Sequence, residues 1–194
     1  MKKTSLVAGK TEKIVGIALL SAIVIVLQLV GSFVRFGMFS VSLVLVPIVI
    51  GAALYGISAG MWLGFAFAIA VFISQDANTF LVISPLGTIV TVLLKGVLAG
   101  LFAGLVYKAL SKYKTLAVFA AAVVCPVINT AVFLLGCKLF FMDAISVWAM
   151  DAGQNIVKFL FLGLGIINFP FEVVVNILLA PIIVRLLNIK GGKK

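Results

Sequence analysis

The run TIVTVLLKGVLAGLFAGLVY, residues 88–107, contains one charge, Lys95, and no other ionisable side chain except its terminal Tyr107. At 1.5 Å of rise per residue a helix of this length covers about 30 Å, the thickness of a bilayer's hydrocarbon core. Five further apolar runs flank it: Ile14–Gly31, Ser40–Tyr55, Ile57–Ser74, Thr115–Phe140 and Pro170–Leu187. The expected fold is an all-α integral membrane protein, a compact bundle of six transmembrane helices. Alternating segments of about ten residues, the mark of a membrane β-barrel, are absent.

Composition agrees. Of 194 residues, 64% are hydrophobic and 10% charged, which excludes a soluble globular domain. Ile14–Gly31 is too long for a signal-peptide core and lacks a small-x-small cleavage site, so it counts as a span. Pro47, Gly51, Gly64, Pro126 and Pro181 fall inside the runs, where neighbouring helices can re-satisfy the freed backbone groups. Residues 141–169 do not fit a span, because Asp143, Asp151, Gln154, Asn155 and Lys158 interrupt them. They are expected to form a long outer connection with short helical pieces. The whole chain, 1–194, is expected to be a single membrane domain.

The formal charge of +10 then becomes a topology signal. With both termini and the loop after the fourth span on one side, that side collects Lys2, Lys3, Lys10, Lys13, Lys108, Lys112, Lys114, Arg185, Lys190, Lys193 and Lys194. The other side holds Arg35, Lys138 and Lys158. The positive-inside rule places both termini in the cytoplasm. Attraction to anionic lipid accounts for the basic excess without a nucleic-acid partner.

Polar groups inside spans are costly, so each is a functional candidate. Thr88, Thr91 and Lys95 share one face of the fourth span, at i, i+3 and i+7. Glu172 and Asn176 share a face of the sixth, and Asn129 lies in the fifth beside Pro126. Measured from the outer ends of the expected helices, Lys95 lies about 11 Å deep, Asn176 about 10 Å and Asn129 about 16 Å. The segments 75–79 and 84–87 lie on the same side, where they could close over a ligand. Each residue also has a structural explanation. Lys95 could snorkel to the head groups, Asn129 could glue helices together, and Glu172 could complement the positive end of its helix dipole.

The chemistry that is missing narrows the function. There is no His, which excludes Ser-His and Cys-His nucleophiles and imidazole metal sites. No phosphate-loop motif and no paired intramembrane carboxylates occur, and no metal or cofactor is expected. Cys125 and Cys137 are 12 residues apart on one expected helix, too far along it to bond to each other. Ala18 and Ala22 lie at i and i+4 on the first helix, near Gly16 and Ser21. Such spacing admits a close partner helix or serves packing within the bundle.

The small basic six-span chain, the Ala18-Leu19-Leu20-Ser21-Ala22 pattern and the run from Pro47 to Gly56 leading into Ala59-Gly60 resemble the S components of energy-coupling factor (ECF) vitamin transporters. The resemblance implies a multi-pass protein of the prokaryotic cell membrane that is not an enzyme. Such a protein captures a vitamin or its precursor in the outer half of the bundle. It delivers the ligand through a membrane scaffold subunit and two ATPases, and Ala18 and Ala22 would meet the scaffold. With Lys95, Thr91, Asn129, Glu172 and Asn176 as the site, a ligand bearing a carboxylate with hydroxyl or amide groups fits, Thr91 and Asn129 donating hydrogen bonds. Pantothenate is the first expectation, with riboflavin or folate as alternatives. A self-sufficient carrier and an intramembrane enzyme are the competing classes. The apolar cytoplasmic halves of the spans oppose the first, and the lack of a nucleophile with a base opposes the second.

Overall fold

In the computed structural model, which describes residues 2–33, 35–36, 39–40, 43–160 and 168–191, nearly every described residue is helical. Among the described residues nine helices follow one another: α1 (Lys2–Gly31), α2 (Leu45–Tyr55), α3 (Ile57–Ile73), α4 (Asn78–Ile83), α5 (Pro85–Ala109), α6 (Lys114–Phe140), α7 (Met142–Asp151), α8 (Ile156–Lys158) and α9 (Asn168–Gly191). The other regular element is a two-residue antiparallel pairing of β1 (Arg35–Phe36) with β2 (Phe39–Ser40).

Among the described residues, four helical stretches are long and apolar enough to cross a membrane: Lys10–Gly31, Pro85–Ala109, Lys114–Phe140 and Phe169–Ile189. Helices α2 and α3 are apolar but shorter, about 16 and 25 Å of rise. The expected second span therefore starts late. Ser40 lies in β2, positions 41 and 42 fall outside the described residues, and helix begins at Leu45. Pro47 explains the boundary, since in a first helical turn its missing N–H has no partner to lose. Helix α2 packs against α1, α3, α5, α6 and α9, and Leu45, Ile48 and Val49 on it are fully buried. An all-apolar helix is stable there because every face meets another helix.

The bundle is inverted relative to a soluble one. Large apolar side chains such as Val15, Leu19, Val26, Phe65 and Leu178 face outward, while the interior is rich in alanine and glycine. A single residue, Gly56 at φ +96°, turns α2 into α3, a backbone conformation that L side chains rarely adopt. Helices α3 and α5 then run antiparallel along a glycine seam. A Cβ at Gly60 would meet the Gly100 carbonyl, and one at Gly64 would meet the Gly96 carbonyl. Backbone touches backbone here, with no flexible side chain to give way. Valine at Gly64 is expected to destabilise the bundle by about 1–3 kcal/mol, seen as a lower melting temperature of the purified protein.

The other helix pairs complete the topology. Gly16 of α1 lies against Tyr55, and Gly104 of α5 against Ile57, so these chain ends gather at one end of the bundle. At the opposite end Gln28 of α1 reaches Ser74 and Asp76, and Gly87 of α5 lies against Phe140. The connection after α6 is helical in its described part, as α7 and α8, and residues 161–167 lie outside the described residues. Segment 75–79, expected as a loop, is a turn through Ala77 before α4 begins at Asn78, whereas 84–87, expected as a turn, is helical from Pro85 onward.

Candidate functional site

Helix α5 starts three residues earlier than the apolar run suggested. Ser84 caps it, its Oγ accepting from the Gly87 N–H at 3.3 Å, and Pro85 occupies the first turn. Measured from the observed helix ends, Lys95 is about 15 Å deep and Asn176 about 12 Å, while Asn129 stays at about 16 Å because α6 ends at Phe140 as expected. The corrected starts bring Lys95 and Asn129 closer to one level. The register between α5 and α6 is tight, since Gly136 lies directly against Thr91 and any Cβ there would strike it.

Four of the five expected residues are buried almost completely: Thr91 at 4% exposure, Asn129 at 6%, Glu172 at 5% and Asn176 at 0%. Lys95 is half-buried, and its Nζ sits 5.3 Å from the Phe67 ring centroid and 5.6 Å from that of Phe133. Both distances lie within cation–π range. The ammonium is thus flanked by rings from α3 and α6. Glu172 and Asp76 act on it electrostatically. Thr88, on the same face, donates its hydroxyl to the Ser84 carbonyl at 2.8 Å.

Across the bundle, Asn129 of α6 places its amide beside the Glu172 carboxylate of α9. That contact joins two helices, as expected of an interhelical polar pair. The Asn176 Nδ2 donates to the backbone carbonyl of Glu172 at 2.8 Å, one turn earlier. Helix α9 begins at Asn168, so Glu172 lies beyond its first turn, and the dipole at the helix terminus does not account for the acid.

Among the described residues, four buried side-chain atoms have no hydrogen-bond partner: Thr91 Oγ1, Asn129 Oδ1, Glu172 Oε2 and Asn176 Oδ1. Buried polar atoms are nearly always satisfied, and each exception needs a reason. Here four exceptions coincide with the four buried residues picked out by polarity and depth.

Two features were missed in the sequence. Gln28, a buried amide in the first apolar run, donates to Asp76 Oδ2 at 2.6 Å and Ser74 Oγ at 3.2 Å, tying α1 to the turn after α3. As a polar residue inside a span it satisfied the same criterion as Asn129. The second is an aromatic cluster. Phe80 packs its ring 5.8 Å from Phe133, 4.8 Å from Phe141 and 5.9 Å from Trp148, joining α4, α6 and α7. Phe133 belongs both to this cluster and to the cradle of Lys95. Nothing in the spacing of 16 phenylalanines distinguishes it.

Ala18 and Ala22 are both exposed on α1, whereas Leu20, Val24 and Gln28 form its buried stripe. The alanines lie about half a turn away from that stripe, and packing within the bundle does not account for them. Cys125 and Cys137 are buried free thiols.

No curated protein and no solved structure gives a significant match to the chain. The family profile described as ECF transporter, substrate-specific component, matches residues 12–184. That span contains all five site residues and the exposed alanine pair. The chain therefore belongs to the substrate-specific components of ECF transporters, a family of multi-pass membrane proteins that bind substrate for transport rather than an enzyme family.

Proposed function

We propose that this chain captures a vitamin or vitamin precursor, with pantothenate as the first choice, in the outer half of a six-span bundle whose termini are cytoplasmic. The reading places α2 and α3 across the bilayer as the second and third spans, their shortness compensated by burial among longer helices. It locates the chain in a prokaryotic plasma membrane, where it hands its substrate on with a scaffold subunit and two ATPases. Riboflavin and folate are the alternative substrates.

The observation that carries this reading is the occurrence of four buried, unpartnered polar atoms on α5, the helix that carries Lys95, and on α6 and α9. Lys95 meets the substrate carboxylate, since a charge-assisted hydrogen bond is about twice as strong as a neutral one. Thr91, Asn129, Glu172 and Asn176 complete the contacts. Ala18 and Ala22 form the scaffold-facing strip of α1.

Mass spectrometry of small molecules that copurify with the protein tests the substrate directly, followed by titration with pantothenate, riboflavin and folate. A carboxylate-bearing vitamin or precursor is expected in the purified material, with submicromolar binding of at least one of the three probes. Purified protein that carries no such molecule and binds none of the three overturns the assignment. Transport by the chain alone in liposomes would replace it with a self-sufficient carrier.

A further inference from the structure

The polarity of the unpartnered atoms says what a substrate must bring. The Asn176 amide is fixed in direction, because its nitrogen donates to the Glu172 carbonyl at 2.8 Å and a flipped amide would oppose two oxygens. Its Oδ1 is therefore the free atom. The Asn129 amide lies against the Glu172 carboxylate, which holds its nitrogen there and again leaves Oδ1 free. The third free atom, Glu172 Oε2, is a carboxyl oxygen with lone pairs available to accept. Three oxygens on α6 and α9 thus lack a donor partner, and the Thr91 hydroxyl on α5 can play either part. Lys95 supplies the charged donor. This arrangement reverses the expectation that Asn129 donates to the substrate.

We propose that Asn129, Glu172 and Asn176 form an acceptor cradle that selects substrates presenting two or more hydroxyl or N–H donors at the end remote from the acid group held by Lys95. The proposal rests on the substrate site described above and adds its selectivity. A compound with the same acid group and the same shape, but with hydrogen in place of hydroxyl, leaves the three oxygens buried and unpaired. A site built to bond such groups rejects an analogue lacking them far more strongly than a site that reads only shape. A purely apolar acid is therefore excluded even though Lys95 could hold it.

The test titrates purified wild-type protein with pantothenate, riboflavin and folate. Whichever binds is compared with its analogue having those hydroxyls replaced by hydrogen, or N–H by N-methyl. The same pair is then measured on Asn176→Leu and Glu172→Gln. Wild type is expected to bind the analogue about 100-fold more weakly or worse. Both variants are expected to narrow that ratio below about tenfold by losing the parent compound selectively. A structural role alone would weaken both compounds together and leave the ratio unchanged. Should a variant fail to fold, the wild-type ratio decides the matter. Equal binding of parent and analogue by wild type, or an unchanged ratio in folded variants, overturns the acceptor cradle and leaves the substrate site standing. Failure of all three probes to bind overturns the site reading and this proposal with it.

Discussion

Uptake is expected to fall to background when Ala18 and Ala22 are both replaced by leucine, while substrate binding by the purified protein stays within about twofold of wild type. The separation follows from where α1 puts these residues. Its buried stripe, Leu20, Val24 and Gln28, anchors the helix to the bundle, and the alanines lie on the opposite, exposed face among Val15, Leu19 and Val26. Leucine there stands on an exposed face, and exposed substitutions of this kind change stability by less than about 0.5 kcal/mol. A partner helix, by contrast, can approach closely only across small side chains. Two added isobutyl groups would hold it away, ending close contact without touching the site. The measurement pairs uptake by cells coexpressing the scaffold and ATPases with titration of the purified variant. Joint loss of binding and uptake would mean that the pair serves the bundle's own packing.

The same positions show how far sequence alone reached. The i, i+4 spacing of Ala18 and Ala22 was visible, but spacing does not say which side of a helix faces in. Only the burial of Leu20, Val24 and Gln28 decides that. The site was more legible, because a membrane makes polarity expensive. Thr91, Lys95, Asn129, Glu172 and Asn176 stood out against apolar surroundings, and all but the half-exposed Lys95 prove to be buried. Gln28 met the same criterion and was passed over. The direction in which each amide points was not legible, since it depends on the contact across α6 and α9 and on a bond within α9. Helix starts were misplaced for a local reason. Apolar runs mark where lipid-compatible residues begin, whereas Ser84 with Pro85 and the early Pro47 mark where helices begin. The glycine seam between α3 and α5 needed both partners at once. Gly60 and Gly64 carry meaning only when set against Gly100 and Gly96.

Lys95→Met is expected to weaken binding of a carboxylate-bearing substrate by roughly 10- to 150-fold, the loss of one charge-assisted hydrogen bond worth about 1.5–3 kcal/mol. Methionine retains a flexible, apolar stem to lie between Phe67 and Phe133, so the rings keep a neighbour and the change is chiefly one of charge. It also has a second effect. Glu172 is buried and loses the cation that acts on it, so the variant is also expected to melt at a lower temperature. Weaker binding could then follow from a loosened bundle, with no contact between Lys95 and substrate. The double variant Lys95→Met with Glu172→Gln separates the two causes, because a neutral amide in place of the acid no longer needs a countercharge. Its melting temperature should recover most of the loss while its affinity stays low. If affinity returns along with stability, Lys95 serves only to neutralise Glu172, and the substrate's acid group is held elsewhere. If Lys95→Met alone binds as tightly as wild type, the ammonium between the two phenylalanine rings has no part in substrate recognition.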